Sequence, residues 1–330
     1  MPPIESMMKR FFRISLLLLP LALSCAPEEL DLDPWNAYRN PLVLEDVSNP
    51  DVIREGDEWY LFSDGTAAEV IQVKSSHDLV QWGELDPVFD EETKPSFIPG
   101  GTVSGPSVLR SGERFLLYYT LWKSAAQCGI GMASAPMPTG PWTDHGAVLT
   151  AKAGMTGLRD PFCLEADGQL WLAFRADGGV YLTALSADGQ QAAGTPVLVT
   201  DAALDTPVFF KEKETWYFLA SAGTRTSGAA STSVITVSQA SALTGPYSEW
   251  KALLSRSAKY AGPGSPARPV RDSEGSDWIL YNAYDLSNVS AGRTLMLDRL
   301  YWEGTDVPWV RGGICAFYTN APVIAEPQRP

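Results

Sequence analysis

Histidine and cysteine are scarce in this chain of 330 residues, which has two of the first and four of the second. His77 and His145 fall in stretches that read as outer turns, where a histidine is ordinarily a solvent-facing loop residue. No Ser-His-Asp arrangement is therefore supported. Cys128, Cys163 and Cys315 are widely separated and have apolar neighbours. They lack metal-ligand spacing and read as buried thiols, or as one disulfide with one thiol left over. Neither a metal nor a cofactor is expected, and no glycine motif that cradles phosphate is present. Positive charge is also in short supply, with 25 Lys and Arg against 39 Asp and Glu for a formal charge of −14. An acidic surface of that kind repels phosphate backbones and anionic lipids. It excludes nucleic acid and leaves a neutral polysaccharide or oligosaccharide as the natural partner.

The apolar run Ile14 to Leu23 is too short to span a bilayer comfortably, and Lys9, Arg10 and Arg13 precede it. With Leu21-Ala22-Leu23-Ser24 leading into Cys25, the segment resembles a bacterial lipoprotein signal. Residues 1–24 read as the signal, Cys25 as the lipidated first residue, and 25–40 as a tether. The membrane is met only through that anchor. The expectation is an exported protein held at the outer membrane or cell surface, the alternative being a secreted soluble one. Loss of Lys9, Arg10, Arg13 and Glu5 with the signal takes the formal charge from −14 to −16.

Aromatics, glycine and proline are plentiful, as turn-rich β architecture requires. One stretch, Gly157 to Phe174, sets the grammar. An acidic residue stands before Pro161, an apolar run follows, Asp167-Gly168 turns the chain, and an aromatic-rich strand returns. The grammar recurs at Asn49-Pro50 leading to Trp59–Ser63, Gly105-Pro106 to Phe115–Thr120, Asp205-Thr206-Pro207 to Trp216–Leu219, and Ser265-Pro266 to Trp278–Tyr281. The prolines at 50, 106, 161, 207 and 266 are 56, 55, 46 and 59 residues apart, about right for a four-stranded blade with variable loops. The chain is thus expected to be all-β, with residues 41–330 forming a single five-bladed β-propeller that acts as a monomer. The residues flanking the prolines should converge at one mouth of the central channel. Trp59, Trp171, Trp216 and Trp278 hold like positions and are assigned to packing between blades.

Further motifs carry a family resemblance. They are the outer turn Asp78 to Trp82, the turns Thr139-Gly140-Pro141-Trp142 and Thr244-Gly245-Pro246-Tyr247, the blade-five segments Tyr260 to Ser265 and Tyr281 to Asp285, and the closing run Gly292 to Trp302. From Asn40 to about Gly313 the sequence resembles the five-bladed propeller glycosidases, above all glycoside hydrolase family 43, whose members are arabinanases, arabinofuranosidases and xylosidases. The resemblance implies an inverting hydrolase of arabinofuranose- or other pentose-containing polysaccharide. An endo-arabinanase, including one for D-arabinan, is one form of it, and a non-catalytic carbohydrate-binding lipoprotein is the alternative.

Glycoside hydrolysis needs a protonated carboxyl to assist the leaving oxygen and an ionised one to activate water or attack carbon. In the family, blade one supplies the base as an Asp before proline. Blade three supplies an Asp before proline that tunes the acid and orients substrate, and blade four the acid as a Glu two residues before proline. Here Asp160 fits the blade-three position, and Arg159 beside it resembles the Arg-Asp-Pro motif of propellers acting on fructosides. Asp205 stands at the acid position, one methylene shorter. Blade one departs, because Asn49 cannot accept a proton at neutral pH. Asp51, two residues along and on the same face by strand alternation, becomes the expected base. Ser265 and Asn282 replace histidines common in the family near the axis, and Arg293 resembles a family arginine that reaches the site. Trp122 and Tyr284, just beyond their hairpins, are the candidates for stacking on sugar faces.

Overall fold

The computed structural model describes residues 32–33, 36–64, 71–304 and 306–324. The signal and Cys25 lie outside this set. Five four-stranded antiparallel sheets follow one another along the chain, as the proline spacing requires. Blade one is Asp51–Glu55, Glu58–Ser63, Gln72–Ser76 and Gly83–Leu85. Blade two is Thr102–Ser111, Arg114–Ser124, Gln127–Ala135 and Thr143–Thr150. Blade three is Arg159–Ala166, Gln169–Ala176, Gly179–Ala184 and Val197–Thr200, and blade four is Leu204–Glu212, Thr215–Ala222, Val234–Ala240 and Lys251–Leu254. In blade five the inner strand is split into Tyr260–Gly264 and Val270–Arg271. Both pieces pair with Asp277–Asp285, which pairs in turn with Arg293–Leu300. No α-helix occurs among the described residues.

The inner hairpins of blades one to four turn in two residues, and that of blade five turns between Arg271 and Asp277. Ala166 pairs with Gln169 across Asp167-Gly168, both at positive φ (51° and 74°), the conformation that matches strand twist and that Asp-Gly adopts readily. The second strand of each blade is covered on both faces by its neighbours. It therefore reads as an apolar run and not as an alternation: Trp59 to Phe62, Phe115 to Leu121 and Trp216 to Ala220 are buried throughout. The core lies between blades. One cluster joins blades five and one through Trp59, Leu61, Trp278, Leu280 and Leu295. A second joins blades one and two through Phe62, Val73, Leu117 and Tyr119. A third joins two and three through Leu116, Tyr118, Leu172 and Phe174. The largest runs from blade three through four to five. Each buried Leu or Phe contributes roughly 1.5–3 kcal/mol, so the interfaces bind the ring laterally. Cys128, Cys163 and Cys315 are free, buried thiols.

Closure uses residues that read in the sequence as tether and approach. Ala37–Arg39 pairs antiparallel with Tyr318–Asn320, and the chain then runs along the outer strand of blade five. There Leu42 N–H donates to the Leu295 carbonyl and Val47 N–H to that of Arg293, each at 2.8 Å. The tether therefore gives way to folded chain by Ala37, before the expected boundary. Asn40 is the clasp. It is buried, its Nδ2 donates to the carbonyls of Leu297 (2.9 Å) and Ala316 (3.0 Å), and its Oδ1 accepts Leu297 N–H at 3.0 Å. Truncation would leave the Leu297 N–H and the Ala316 carbonyl without these partners, while the Leu297 carbonyl would keep only the Tyr38 hydroxyl. Asn40→Ala is expected to lower the unfolding free energy by about 2 kcal/mol or more, read as a fall in the urea midpoint with the slope unchanged.

Candidate active site

The five residues before the five prolines share one unusual conformation. Asn49, Gly105, Asp160, Thr206 and Ser265 all have φ between 46° and 60°. Such a geometry is ordinary for Gly and tolerated by Asn and Asp, but it is strained for a β-branched residue such as Thr206. These residues and the prolines that follow surround one axial cavity of about 30 Å³, which Asp51, Ser107, Phe162 and Val208 also line. That volume is space for about one water. The expected convergence of the five prolines at one axis is observed.

A hydrogen bond from the preceding blade or its partner strand satisfies each of these five backbone N–H groups. Gly105 N–H donates to Asp64 Oδ1 (2.5 Å), Asp160 N–H to Thr120 Oγ1 (3.2 Å), Thr206 N–H to Asp160 Oδ2 (3.2 Å) and Ser265 N–H to Ser221 Oγ (2.8 Å). The Asn282 amide, in the orientation that satisfies both its neighbours, accepts Asn49 N–H at 3.3 Å and donates to the Gly264 carbonyl at 3.2 Å. Asn282 is 1% exposed. It is thus a support for Asn49 and not a surface that a sugar could reach. Ser265 is equally buried, and its Oγ donates to Asn49 Oδ1 at 2.9 Å.

Asp160 and Asp205 share arginine partners at the mouth. Arg225 reaches in from the loop after Thr215–Ala222 and lies across the mouth. One of its terminal nitrogens stands 3.5 Å from Asp160 Oδ2 and 3.7 Å from Asp205 Oδ2. The other donates to Asn49 Oδ1 (3.2 Å) and Ser265 Oγ (2.9 Å). Arg159 bonds Asp205 at 3.2 Å and approaches Asp160 at 4.0 Å, while Arg175 stands 3.6 Å from Asp205. Three guanidiniums therefore meet the one carboxyl at the acid position. Arg293 enters from blade five, close enough that its charge acts on Asp64. Trp122 lies two residues beyond Thr120 on the same strand and is half-buried, as is Tyr284. His77 is exposed in an outer turn, and His145 is exposed on the outermost strand of blade two.

Three contributors escape the sequence reading. Arg175 and Arg225 give no local signal. Asp64, at the end of Glu58–Ser63, accepts Asn49 Nδ2 at 2.6 Å, and burial pushes its carboxyl up to about 7. Asp160 adds to that rise, whereas the Gly105 N–H, Arg293 and Asn49 oppose it. One signal could have found it, since Asp64 stands five residues after Trp59, as Thr120 does after Phe115 and Ser221 after Trp216.

Asp51 does not join this group, and its reading as the base needs correction. It is 3% exposed and forked to Arg268, with Nε to Oδ1 at 3.0 Å and a terminal nitrogen to Oδ2 at 2.9 Å. It also accepts Ser107 Oγ (3.0 Å), Val108 N–H (2.9 Å) and Val52 N–H (2.9 Å). Strand alternation put it on the axial face correctly. The acceptor positions of its two oxygens are nevertheless taken, leaving no place for a water. Removing one member of a buried ion pair strands the other. Asp51→Ala is therefore expected to lower the unfolding free energy by about 3–5 kcal/mol. A base that served only chemistry would leave the urea midpoint where it was.

With the fold and this geometry in view, the comparisons with known proteins are consistent. An extracellular exo-α-(1→5)-L-arabinofuranosidase of Cellvibrio japonicus is 27% identical over 307 residues, covering 80% of this chain and 86% of that protein. An extracellular endo-α-(1→5)-L-arabinanase of Bacillus subtilis is 25% identical over 323 residues, covering 89% and 96%. Among solved structures, a Cellvibrio cellulosa α-L-arabinanase complexed with arabinohexaose superposes with a TM-score of 0.70 at 23% identity, over 80% of this chain and 95% of that one. The family 43 protein BlXynB of Bacillus licheniformis superposes with a TM-score of 0.75 at 18% identity. It is a longer protein, of which this chain spans 60%. The profile described as "Glycosyl hydrolases family 43" matches residues 38–308, and the chain belongs to that family of glycoside hydrolases.

Proposed function

We propose that this protein is an exported, monomeric hydrolase of arabinofuranose-containing polysaccharide, inverting and endo-acting, with α-1,5-linked arabinan as the first substrate to try and D-arabinan the second. The observation that carries the reading is the meeting of Asp160 and Asp205, from blades three and four, under shared arginines at the mouth of the axis. Two relatives named for cleavage of α-1,5-linked arabinofuranose support the sugar class, and both are named as extracellular. The half-buried Trp122 and Tyr284 offer apolar faces for sugar rings.

In this mechanism Asp205 hands its proton to the leaving oxygen, while Asp160 with Arg159 holds the sugar for in-line attack. Asp205 must carry that proton. A bound sugar would draw Arg159 and Arg225 onto its hydroxyls and away from the Asp205 carboxyl. The alternative of a sugar-binding propeller without turnover draws support from Asn49 and from the guanidiniums now on Asp205. Released reducing ends separate the two. The mature protein should degrade arabinan, and Asp160→Asn and Asp205→Asn should each lower turnover by at least about a hundredfold with melting temperature preserved. Binding of arabinan by the unaltered protein without any released ends would establish the binding reading instead.

The export signal is part of the same proposal. The mature chain begins at a lipidated Cys25 and partitions with membranes, and Cys25→Ala should move it to the soluble fraction. A wild-type protein already soluble and starting elsewhere would leave secretion without the anchor.

A further inference from the structure

The hydrolase reading leaves one position empty, because the residue before the blade-one proline is an amide. We infer that Asp64 is the carboxylate that activates water in this propeller, delivered to the mouth from the second strand of blade one instead of the first. The inference rests on the hydrolytic reading and deepens it.

Internal symmetry shows that the fold does not require a charge at this place. Four acceptors on second strands hold the N–H of the residue before the next blade's proline: Asp64, Thr120, Ser221 and Asn282. Three of them are neutral, and a threonine or serine hydroxyl makes the same bond. Among these four only blade one uses a carboxylate, the fifth N–H, that of Thr206, being held by Asp160 from a first strand, and blade one is where the family's base is missing. The carboxylate also sits where a base belongs. Asp64 Oδ2 is 2.6 Å from Asn49 Nδ2, one hydrogen bond away from the position at which the family carries its own carboxylate.

Asp64 also has capacity to spare. Each carboxylate oxygen has two acceptor sites. Oδ1 receives the Gly105 N–H and Oδ2 the Asn49 amide, and among the described residues nothing else takes the second site on either oxygen. Asp51, by contrast, has its sites filled. The groups that bear on Asp64 come from three directions, with Arg293 of blade five favouring the anion, Asp160 of blade three opposing it, and the Asn49 amide donating to it. A carboxyl raised by burial to about 7 is near the value at which a base both loses its proton at neutral pH and retains proton affinity. In the step itself, the water oxygen bonds to the anomeric carbon as the glycosidic C–O bond breaks. Asp64 takes the water proton, and Asp205 gives its own to the leaving oxygen.

The test exchanges the two neighbours. In Asn49→Asp/Asp64→Asn the amide at 64 can still accept the Gly105 N–H and donate to position 49, and the carboxylate at 49 can still accept Arg225. The bonds are kept while the charge moves across one hydrogen bond. Asp64→Asn and Asp64→Thr, the latter copying blade two, should fold and melt like wild type. Both should lose at least about a hundredfold in kcat on arabinan with KM within a few-fold, and the exchange variant should regain at least about tenfold over Asp64→Asn. Wild-type kcat/KM should rise with pH through about 7, because the active form is the ionised one, and that limb should shift in the exchange variant. If wild type is active and Asp64→Asn or Asp64→Thr keeps more than about a third of its turnover, or the exchange recovers nothing, the inference falls and the hydrolase stands. If wild type releases no reducing ends from either arabinan, both fall.

Discussion

The Asp51–Arg268 ion pair is the contact on which the centre of this propeller depends. Arg268 enters through the gap that splits the inner strand of blade five. Besides Asp51 of blade one it donates to the carbonyls of Val108 in blade two and Cys163 in blade three, with its guanidinium 4.8 Å from the Phe162 ring. One side chain thereby links four blades at the axis. A buried ion pair is an expensive way to gain stability, because both ions lose water. Its value here is geometric. The forked Arg–carboxylate contact is directional, and it fixes the phase of the inner strands, whose first residues form the mouth.

Above that pair the mouth repeats one device, a residue at positive φ before a proline with its N–H held by a side-chain acceptor. Repetition explains why the site can carry charge at all. Five backbone donors aimed at one place are already satisfied by hydroxyls and amides where no chemistry is needed, and the fold tolerates exchange of those acceptors for carboxylates where it is. Asp160 satisfies the N–H of Thr206 while also facing Arg225, so its structural and chemical roles coincide. The strained Thr206 persists because its hydroxyl is tied both to the Asp205 carbonyl and to Ser221, each at 2.8 Å. Several bonds thus hold a conformation that the residue would otherwise leave.

The architecture was legible because the period, the two-residue turns and the apolar second strands are all local features of sequence. Asp160 and Asp205 were legible for the same reason, being fixed relative to prolines that mark the axis. What could not be read is partnership across the ring. Strand alternation placed Asp51 on the axial face, but nothing near it announces Arg268, 217 positions away. The pairing of Ala37–Arg39 with Tyr318–Asn320 spans nearly the whole chain, so those residues resembled a tether. Asn282 resembled a site residue because it stands where the family has a histidine near the axis, yet it holds backbone. Asp64 is the intermediate case. Its five-residue offset from an aromatic is written in the sequence, but the offset acquires meaning only once the next blade's N–H is known to meet it.

Charge ties these features together. The chain as a whole is strongly acidic, yet Arg159, Arg175, Arg225 and Arg293 gather around Asp64, Asp160 and Asp205. Glycoside cleavage passes through a cation-like transition state, which a surplus of guanidinium charge disfavours in a site shielded from water. With Asp205 carrying the proton it donates and Asp64 neutral, four arginines face one anion. Ionisation of Asp64 brings the balance to four against two, so the event that readies a base for water also makes the mouth more hospitable to the positive charge that develops on the sugar. On the proposed mechanism a single deprotonation therefore supplies both the proton acceptor and part of the electrostatic stabilisation. A carboxylate placed beside Asn49 can do this while the Asn49 amide, bonded to Arg225 and Ser265, remains the structural anchor of blade one.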